Sequence, residues 1–198
     1  PDYGQTPADG VRLVFVPRAG SAQSEIRVGR VAVPRATPHY HALVVLNTLV
    51  GGAFVSRINS KLREEKGVTY GARSAFQFLK EPGVFMVQSS VQSNATAASV
   101  RDVLDELDAM GTSRPVTADE LVHAQGALTL GYARGFETSG QLAHALAQLA
   151  LFDLPDDTFD RFVDLVNAVT TTEVTALARQ WLASAAMHAV VVGDADAG

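Results

Sequence analysis

The stretch LVVLNTLVGGAFVSRINSKLREEKGVTYGARSAF, residues 43–76, changes its periodicity twice. Its first part, within HALVVLNTLV (41–50), is leucine-rich and too long for an edge strand, so a helix is expected from about Pro38. Gly51 and Gly52 interrupt that helix. A second helical run follows, with Phe54, Ile58 and Leu62 spaced four apart on one face, and Ser56, Arg57, Asn59, Ser60, Lys61 and Arg63 largely off that line. At Gly67 the helical pattern stops, and Val68, Thr69 and Tyr70 read as the start of a strand. The chain thereby sets an arginine, Arg63, at a helix end and a tyrosine, Tyr70, at the mouth of the next strand.

Outward from this stretch the elements fall into place. VRLVFVP (11–17) and the alternating SAQSEIRVGRVAVP (21–34) read as strands, and the short RAGSA link predicts that they are antiparallel neighbours. VTYGARSAFQFL (68–79) and GVFMVQSSVQ (83–92), split by KEP, predict a hairpin. NATAASVRDVLDELDAM (94–110) predicts an amphipathic helix capped by Asn94, with Val100, Val103, Leu104, Leu107 and Met110 on one stripe. Thr117 with Glu120, Thr138 with Gln141, and Thr170 with Glu173 each have the spacing of a helix-opening cap. Asp156 and Asp157 are placed in the first turn of another helix, and MHAVVVGD closes the chain as a strand expected to be buried on both faces. About five strands and six helices in this order do not alternate strictly. They predict an α+β fold, a mostly antiparallel sheet with helices packed on one face, as a single domain over residues 1–198.

With 198 residues, 47% apolar and 19% charged, the chain can build a sizeable core. A net charge of −5 argues against a nucleic-acid partner, which normally calls for a basic surplus. The absence of cysteine excludes disulfides and thiolate metal sites without fixing a compartment. No uninterrupted apolar run reaches the roughly 20 residues of a membrane span. The chain begins at Pro1, which suggests a piece of something longer.

The chemistry-bearing residues are sparse. His39 and His41 form an H-x-H without a carboxylate at helical spacing, His123 and His144 sit on helices, and His188 opens the last strand. Neither H-E-x-x-H nor H-x-x-E-H occurs, and no nucleophile elbow or phosphate loop is present. Asp102, Asp105, Glu106 and Asp108 read as a solvated helix face. Asp153 belongs with Asp156 and Asp157, acidic residues flanking a helix start. That leaves Arg63 and Tyr70, two hydrogen-bond donors suited to a peptide carbonyl or a developing oxyanion. The competing reading pairs Arg63 with Glu64 or Glu65 and packs Tyr70 at a core edge. Arg57 and Arg73 are alternative arginines; strict alternation turns Arg73 away from Tyr70.

Gly51, Gly52, Ser56, Arg57, Leu62, Arg63, Glu64, Gly67 and Tyr70, with the order of elements around them, resemble the second-half domain of the insulinase and mitochondrial processing peptidase family, the pitrilysin-type zinc metallopeptidases. The resemblance covers nearly the whole chain. It implies two homologous halves facing each other, one holding zinc through H-x-x-E-H and a distal glutamate, the other supplying an arginine–tyrosine pair. This chain has the pair as Arg63 and Tyr70 and lacks the zinc motif. It therefore looks like the half without metal: no cofactor of its own, zinc in a partner half on the same or a separate chain, and a peptide as substrate. Arg63 and Tyr70 would bind substrate, with Tyr70 stabilising the transition state. Alone the chain is expected to be inactive, and it could self-associate. The alternative is an inactive scaffold or assembly subunit of the same fold.

Overall fold

In the computed structural model, which describes residues 12–197, five strands form one sheet in the order β1-β5-β2-β4-β3. They are β1 (Arg12–Pro17), β2 (Gln23–Val31), β3 (Thr69–Gln77), β4 (Val84–Gln92) and β5 (His188–Gly193). Val11, counted above in the first strand, lies outside the described residues. The β3–β4 pair is antiparallel, as expected from the hairpin, and β2 pairs with β4, also antiparallel. The expected β1–β2 pair is absent, because β5 lies between them, parallel to β1 and antiparallel to β2. The short link that suggested a hairpin instead steps over the end of β5. The Arg18 amide donates to the Gly193 carbonyl at 2.6 Å, and the Gly20 amide donates to the Asp194 carboxylate at 2.8 Å.

The helices are α1 (Tyr40–Asn47), which continues as a π-helical turn over Thr48–Gly52, and α2 (Arg57–Asn59), which continues likewise over Ser60–Glu65. Then come α3 (Thr96–Gly111), α4 (Ala118–Thr129), α5 (Ser139–Phe152), α6 (Phe162–Asn167) and α7 (Thr171–Trp181). Both predicted capping boxes form, at Thr117–Glu120 and Thr138–Gln141, and the Thr170 side chain accepts from the Glu173 amide. Asn94 does not cap α3. It lies in a short 3-10 turn, and Ala95 stands at the cap position without a side-chain bond. Asp156 and Asp157 lie in turns before α6 rather than in its first turn.

Alternating residues of the sheet, among them Ile26, Val28, Phe85, Val87, Val91, Ala189 and Val191, are buried with Leu43, Leu46, Val50, Ile58 and Leu62 from the first two helices and Val103, Leu107 and Leu177 from α3 and α7. This is the α+β arrangement anticipated, a mostly antiparallel sheet with its core on the helical side. The segment Tyr40–Glu65 is long and apolar enough for a membrane span, but half of it is buried inside the fold. Two expectations fail on burial. Val190 is 41% exposed, so β5 is covered on one face only, the pattern of a one-sided sheet. Phe54 precedes α2 instead of lying on it and is 68% exposed.

Candidate functional site

The candidate site is built where α1, α2 and β3 meet. Glycine is required at two points of that junction. A Cβ at Gly51 would lie 2.6 Å from the Ser74 backbone nitrogen, so the π-helical end of α1 approaches β3 more closely than any other residue allows. Gly67 has φ of +63°, the left-handed conformation that ends a helix without steric cost. Its amide donates to the Arg63 carbonyl, and the Val68 amide donates to the Leu62 carbonyl, both at 3.1 Å. The chain reverses there and enters β3.

Arg57 ties this junction to α4. Its Nε and Nη2 donate to the two carboxylate oxygens of Glu120 at 2.7 and 2.8 Å, and Nη1 donates to the Arg114 carbonyl at 2.6 Å. The guanidinium holds the Glu120 carboxyl down at about 2, against an ordinary 4.5, with the Thr117 amide contributing. Arg57 is thus committed to holding the fold, which removes it as an alternative to Arg63. Asn59, buried, bridges the neighbouring pieces: its Nδ2 donates to the Phe54 carbonyl at 2.7 Å and its Oδ1 accepts from the Ala72 amide at 3.0 Å.

Tyr70 sits on a β-bulge. Thr69 pairs with Val91 and Ala72 with Ser89, so three steps along β3 match two along β4. The bulge satisfies its own backbone through hydroxyls. The Gly71 amide donates to Thr69 Oγ1 at 3.1 Å, the Gly71 carbonyl accepts from Ser89 Oγ at 3.1 Å, and Thr69 Oγ1 donates to the Ser90 carbonyl at 2.6 Å. Tyr70 is left 94% exposed. It does not fill a core edge. The extra residue also changes the phase of the strand. Ala72 is buried, whereas Tyr70 and Arg73 are both exposed, so strict alternation fails as an argument against Arg73.

Arg63 lies at the helix end as expected. Its guanidinium carbon is 4.1 Å from the centroid of the Phe54 ring, and Nη1 is 3.6 Å from the Glu64 carboxylate, so the expected Glu64 partner is present at long range. Nη1 makes no hydrogen bond among the described residues. No hydrogen bond joins Arg63 to Tyr70 among those residues; they flank one turn, Arg63 over the Phe54 ring and Tyr70 exposed.

The other candidates separate. His39 lies 4.0 Å from Glu173, and His123 Nδ1 is 2.7 Å from the Asp119 carbonyl. His41 packs against Tyr40 and Phe162, and burial, followed by the charges of Arg35 and Arg161, pushes its pKa down. No group of three or more potential ligands among the described residues is placed to hold a metal ion. The acidic face of α3 is less solvated than its spacing implied. Glu106 is 6% exposed and pairs with Arg114 at 2.6 Å, Asp102 pairs with Lys66, and Asp108 accepts from the Ser184 amide. The roles of Asn59, Thr69 and Ser89 had no signal in the sequence, because each depends on a partner brought in by the fold.

A family model described as the peptidase M16 inactive domain matches residues 2–128, more than half of the chain. Proteins named as uncharacterized zinc proteases are similar in sequence: one from Mycobacterium tuberculosis is 29% identical over 171 residues, and one from Streptomyces coelicolor is 29% identical over 164. The chain is covered to 86% and 81% by these matches but spans only 39% and 35% of the two relatives. The fold matches a peptidase M16 inactive domain from Pseudomonas fluorescens with a TM-score of 0.85 at 22% identity, covering 96% of this chain and 45% of that one. It matches a protease from Helicobacter pylori with a TM-score of 0.84 at 17% identity, covering 97% and 48%. The family model, which matches more than half of the chain and includes the helix–glycine–strand junction, shows that the chain belongs to the peptidase M16 inactive-domain family.

Proposed function

We propose that this domain is the non-catalytic half of a zinc-dependent endopeptidase, and that Arg63 and Tyr70 bind the substrate backbone beside a zinc held by a homologous partner half. The observation that carries the reading is Tyr70: a phenol 94% exposed, raised on a bulge whose backbone is satisfied by Thr69 and Ser89. Exposing a large aromatic side chain has no packing benefit, and bulges recur beside active sites because they re-aim a side chain. The names of the sequence relatives supply the zinc-protease context. On this reading the zinc, and the water it would activate, are supplied by the partner half, in keeping with the names of the sequence relatives.

The chain's own residues then act as donors. The Tyr70 hydroxyl donates a hydrogen bond to the carbonyl oxygen of the scissile peptide. That oxygen gains negative charge as the carbon becomes tetrahedral, so the bond strengthens in the transition state. The Arg63 side chain, one-third exposed and lying over Phe54, donates a guanidinium N–H to a neighbouring substrate carbonyl and fixes register. Closure of the two halves removes water and raises the worth of both contacts.

The test is hydrolysis of a mixed peptide pool by the complete protein, with and without a chelator, comparing wild type with Tyr70→Phe. Chelator-sensitive turnover falling by about 10²–10³ in the variant is expected. Because Tyr70 is exposed, the variant should match wild-type stability within about 0.5 kcal/mol. Turnover unchanged in Tyr70→Phe would remove Tyr70 from the reaction. A complete protein with neither zinc nor activity would favour the scaffold alternative.

A further inference from the structure

We propose that the cavity where the β2–α1 and α5–α6 connections meet is a binding site for a small oxyanion, a phosphate or a carboxylate, held by the guanidinium groups of Arg35 and Arg161. The cavity measures about 280 Å³, just below the range of drug-sized ligands, and Arg35, Thr37, His41, Asp157, Thr158 and Arg161 are among its walls. The half-buried Arg35 has its guanidinium carbon 3.4 Å from the centroid of the Tyr40 ring, a cation–π contact that uses none of its N–H groups. Among the described residues its side chain donates no hydrogen bond and pairs with no carboxylate. Burial pulls its pKa below the ordinary value, opposed only by the Tyr40 and Tyr132 phenols. Its nitrogens are not among the sealed, partnerless polar atoms of the described residues, so the unused donors are open to solvent. Arg161, 59% exposed, comes within 3.6 Å of the Asp157 carboxylate and likewise makes no side-chain hydrogen bond among those residues. The charges of Arg35 and Arg161 both lower the His41 pKa, so the two guanidinium groups, 126 positions apart in sequence (161 − 35), act on one place.

A half-buried guanidinium with open donors and no carboxylate selects an oxyanion, whose several acceptor positions match its fork of N–H groups. A cation would meet two arginines, and an apolar group would cover the donors without satisfying them. Asp157 is the one carboxylate on the wall, and it is not paired with Arg35. At 3.6 Å from Arg161 it trims that charge without taking its donors, so two arginines against one carboxylate leave the cavity positive. Thr37 Oγ1 accepts from the His39 amide at 3.3 Å and keeps its own proton for the ligand. The site stands on the cavity and its arginines, apart from the peptidase reading.

The experiment titrates the isotopically labelled protein at pH 7 with inorganic phosphate, following backbone amide resonances, with sodium chloride at matched ionic strength as the control. Saturable shifts are expected at Arg35, Thr37, His41, Thr158 and Arg161, with β4 unmoved and chloride without effect. Arg161→Gln, at an exposed position, should weaken phosphate binding about tenfold, as loss of one charge-assisted hydrogen bond requires. Arg35→Lys keeps the charge, loses the fork and should weaken binding severalfold. N-acetyl-glutamate amide and its neutral isostere N-acetyl-glutamine amide, titrated in parallel, separate the sources of the anion. Phosphate binding more tightly than the glutamate amide means a free anion; the reverse order means a carboxylate carried by a peptide. In sulfate, which stays dianionic, His41 should titrate higher than in chloride, because a bound anion offsets the two arginine charges that lower it. Phosphate shifts no larger than those of chloride, shifts confined to other surfaces, or full affinity in Arg161→Gln would overturn the site. Neither zinc nor Tyr70 takes part in the titration. Its failure would leave the peptidase reading intact, and a turnover indifferent to Tyr70→Phe would leave the anion site intact.

Discussion

Replacing Arg57 by alanine should destabilise the domain by about 3 kcal/mol at neutral pH, and the size of the loss should depend on pH. A Glu120 carboxyl held at about 2 rather than 4.5 corresponds to a ceiling of roughly 3 kcal/mol at 1.36 kcal/mol per pH unit. The Glu120 side chain is 31% exposed, so solvent screening lowers the ion-pair share to about 1–2 kcal/mol. The bonds from Arg57 to the Arg114 and Pro115 carbonyls, at 2.6 and 3.2 Å, add about 1–2 kcal/mol. Because the folded-state pKa is depressed, the ion-pair share is fully present above about pH 4.5 and is lost as pH falls towards 2. By pH 3 more than about half of it should be gone. Urea unfolding of wild type, Arg57→Ala, Glu120→Gln and the double variant at pH 7 and pH 3 measures each share. A loss under about 1 kcal/mol at pH 7, or one of equal size at both pH values, would refute the view that this clamp fixes α2 to α4.

Gly51→Ala should cost about 1–3 kcal/mol, because its Cβ would meet the Ser74 backbone at 2.6 Å; a thermal-unfolding midpoint at the wild-type value would show that α1 can move away from β3. His41 should titrate below its ordinary 6.5 in a proton NMR experiment, and Arg161→Gln should move its midpoint back up. The sign for stability follows: the unfolded chain takes the proton first, so stability drops as pH falls from about 6.5 to the lowered folded value, and His41→Gln should flatten that part of the curve. Thr138→Ala should cost about 1 kcal/mol by removing the cap of α5, read by denaturant unfolding; no change would mean that the helix end is held by other contacts.

What could be read from the sequence was what local spacing controls. The three threonine caps, the β3–β4 hairpin, the glycine stop at Gly67 and the apolar stripe of α3 each follow from residues a few positions apart. The placement of β5 did not follow, because a short link between two strands looks the same whether they pair or leave a gap for a third. Phe54 had the right spacing for a buried helix face, but the chain at Ala53 is extended and α2 begins only at Arg57. Of the candidate site, the positions of Arg63 and Tyr70 were legible and their surroundings were not. The bulge at Tyr70 depends on Ser89 from β4, and the engagement of Arg57 depends on Glu120, both distant in sequence. An acidic helix face gives no sign in its spacing that one member, Glu106, will be buried against Arg114.

The position of β5 bears on how this chain can be made. It follows every other strand in sequence yet lies second in the sheet, between β1 and β2. During synthesis β1 has no neighbour until β5 emerges, and β2 keeps one unpaired edge. The hairpin of β3 and β4 can form early and locally, and β2 can add to it, but the sheet closes only when the last strand inserts. Such long-range closure slows folding and leaves the strand edges of β1 and β2 unpaired in the meantime. A domain built this way cannot complete its sheet until translation has passed Gly193, and a stop before His188 leaves β1 without its partner strand.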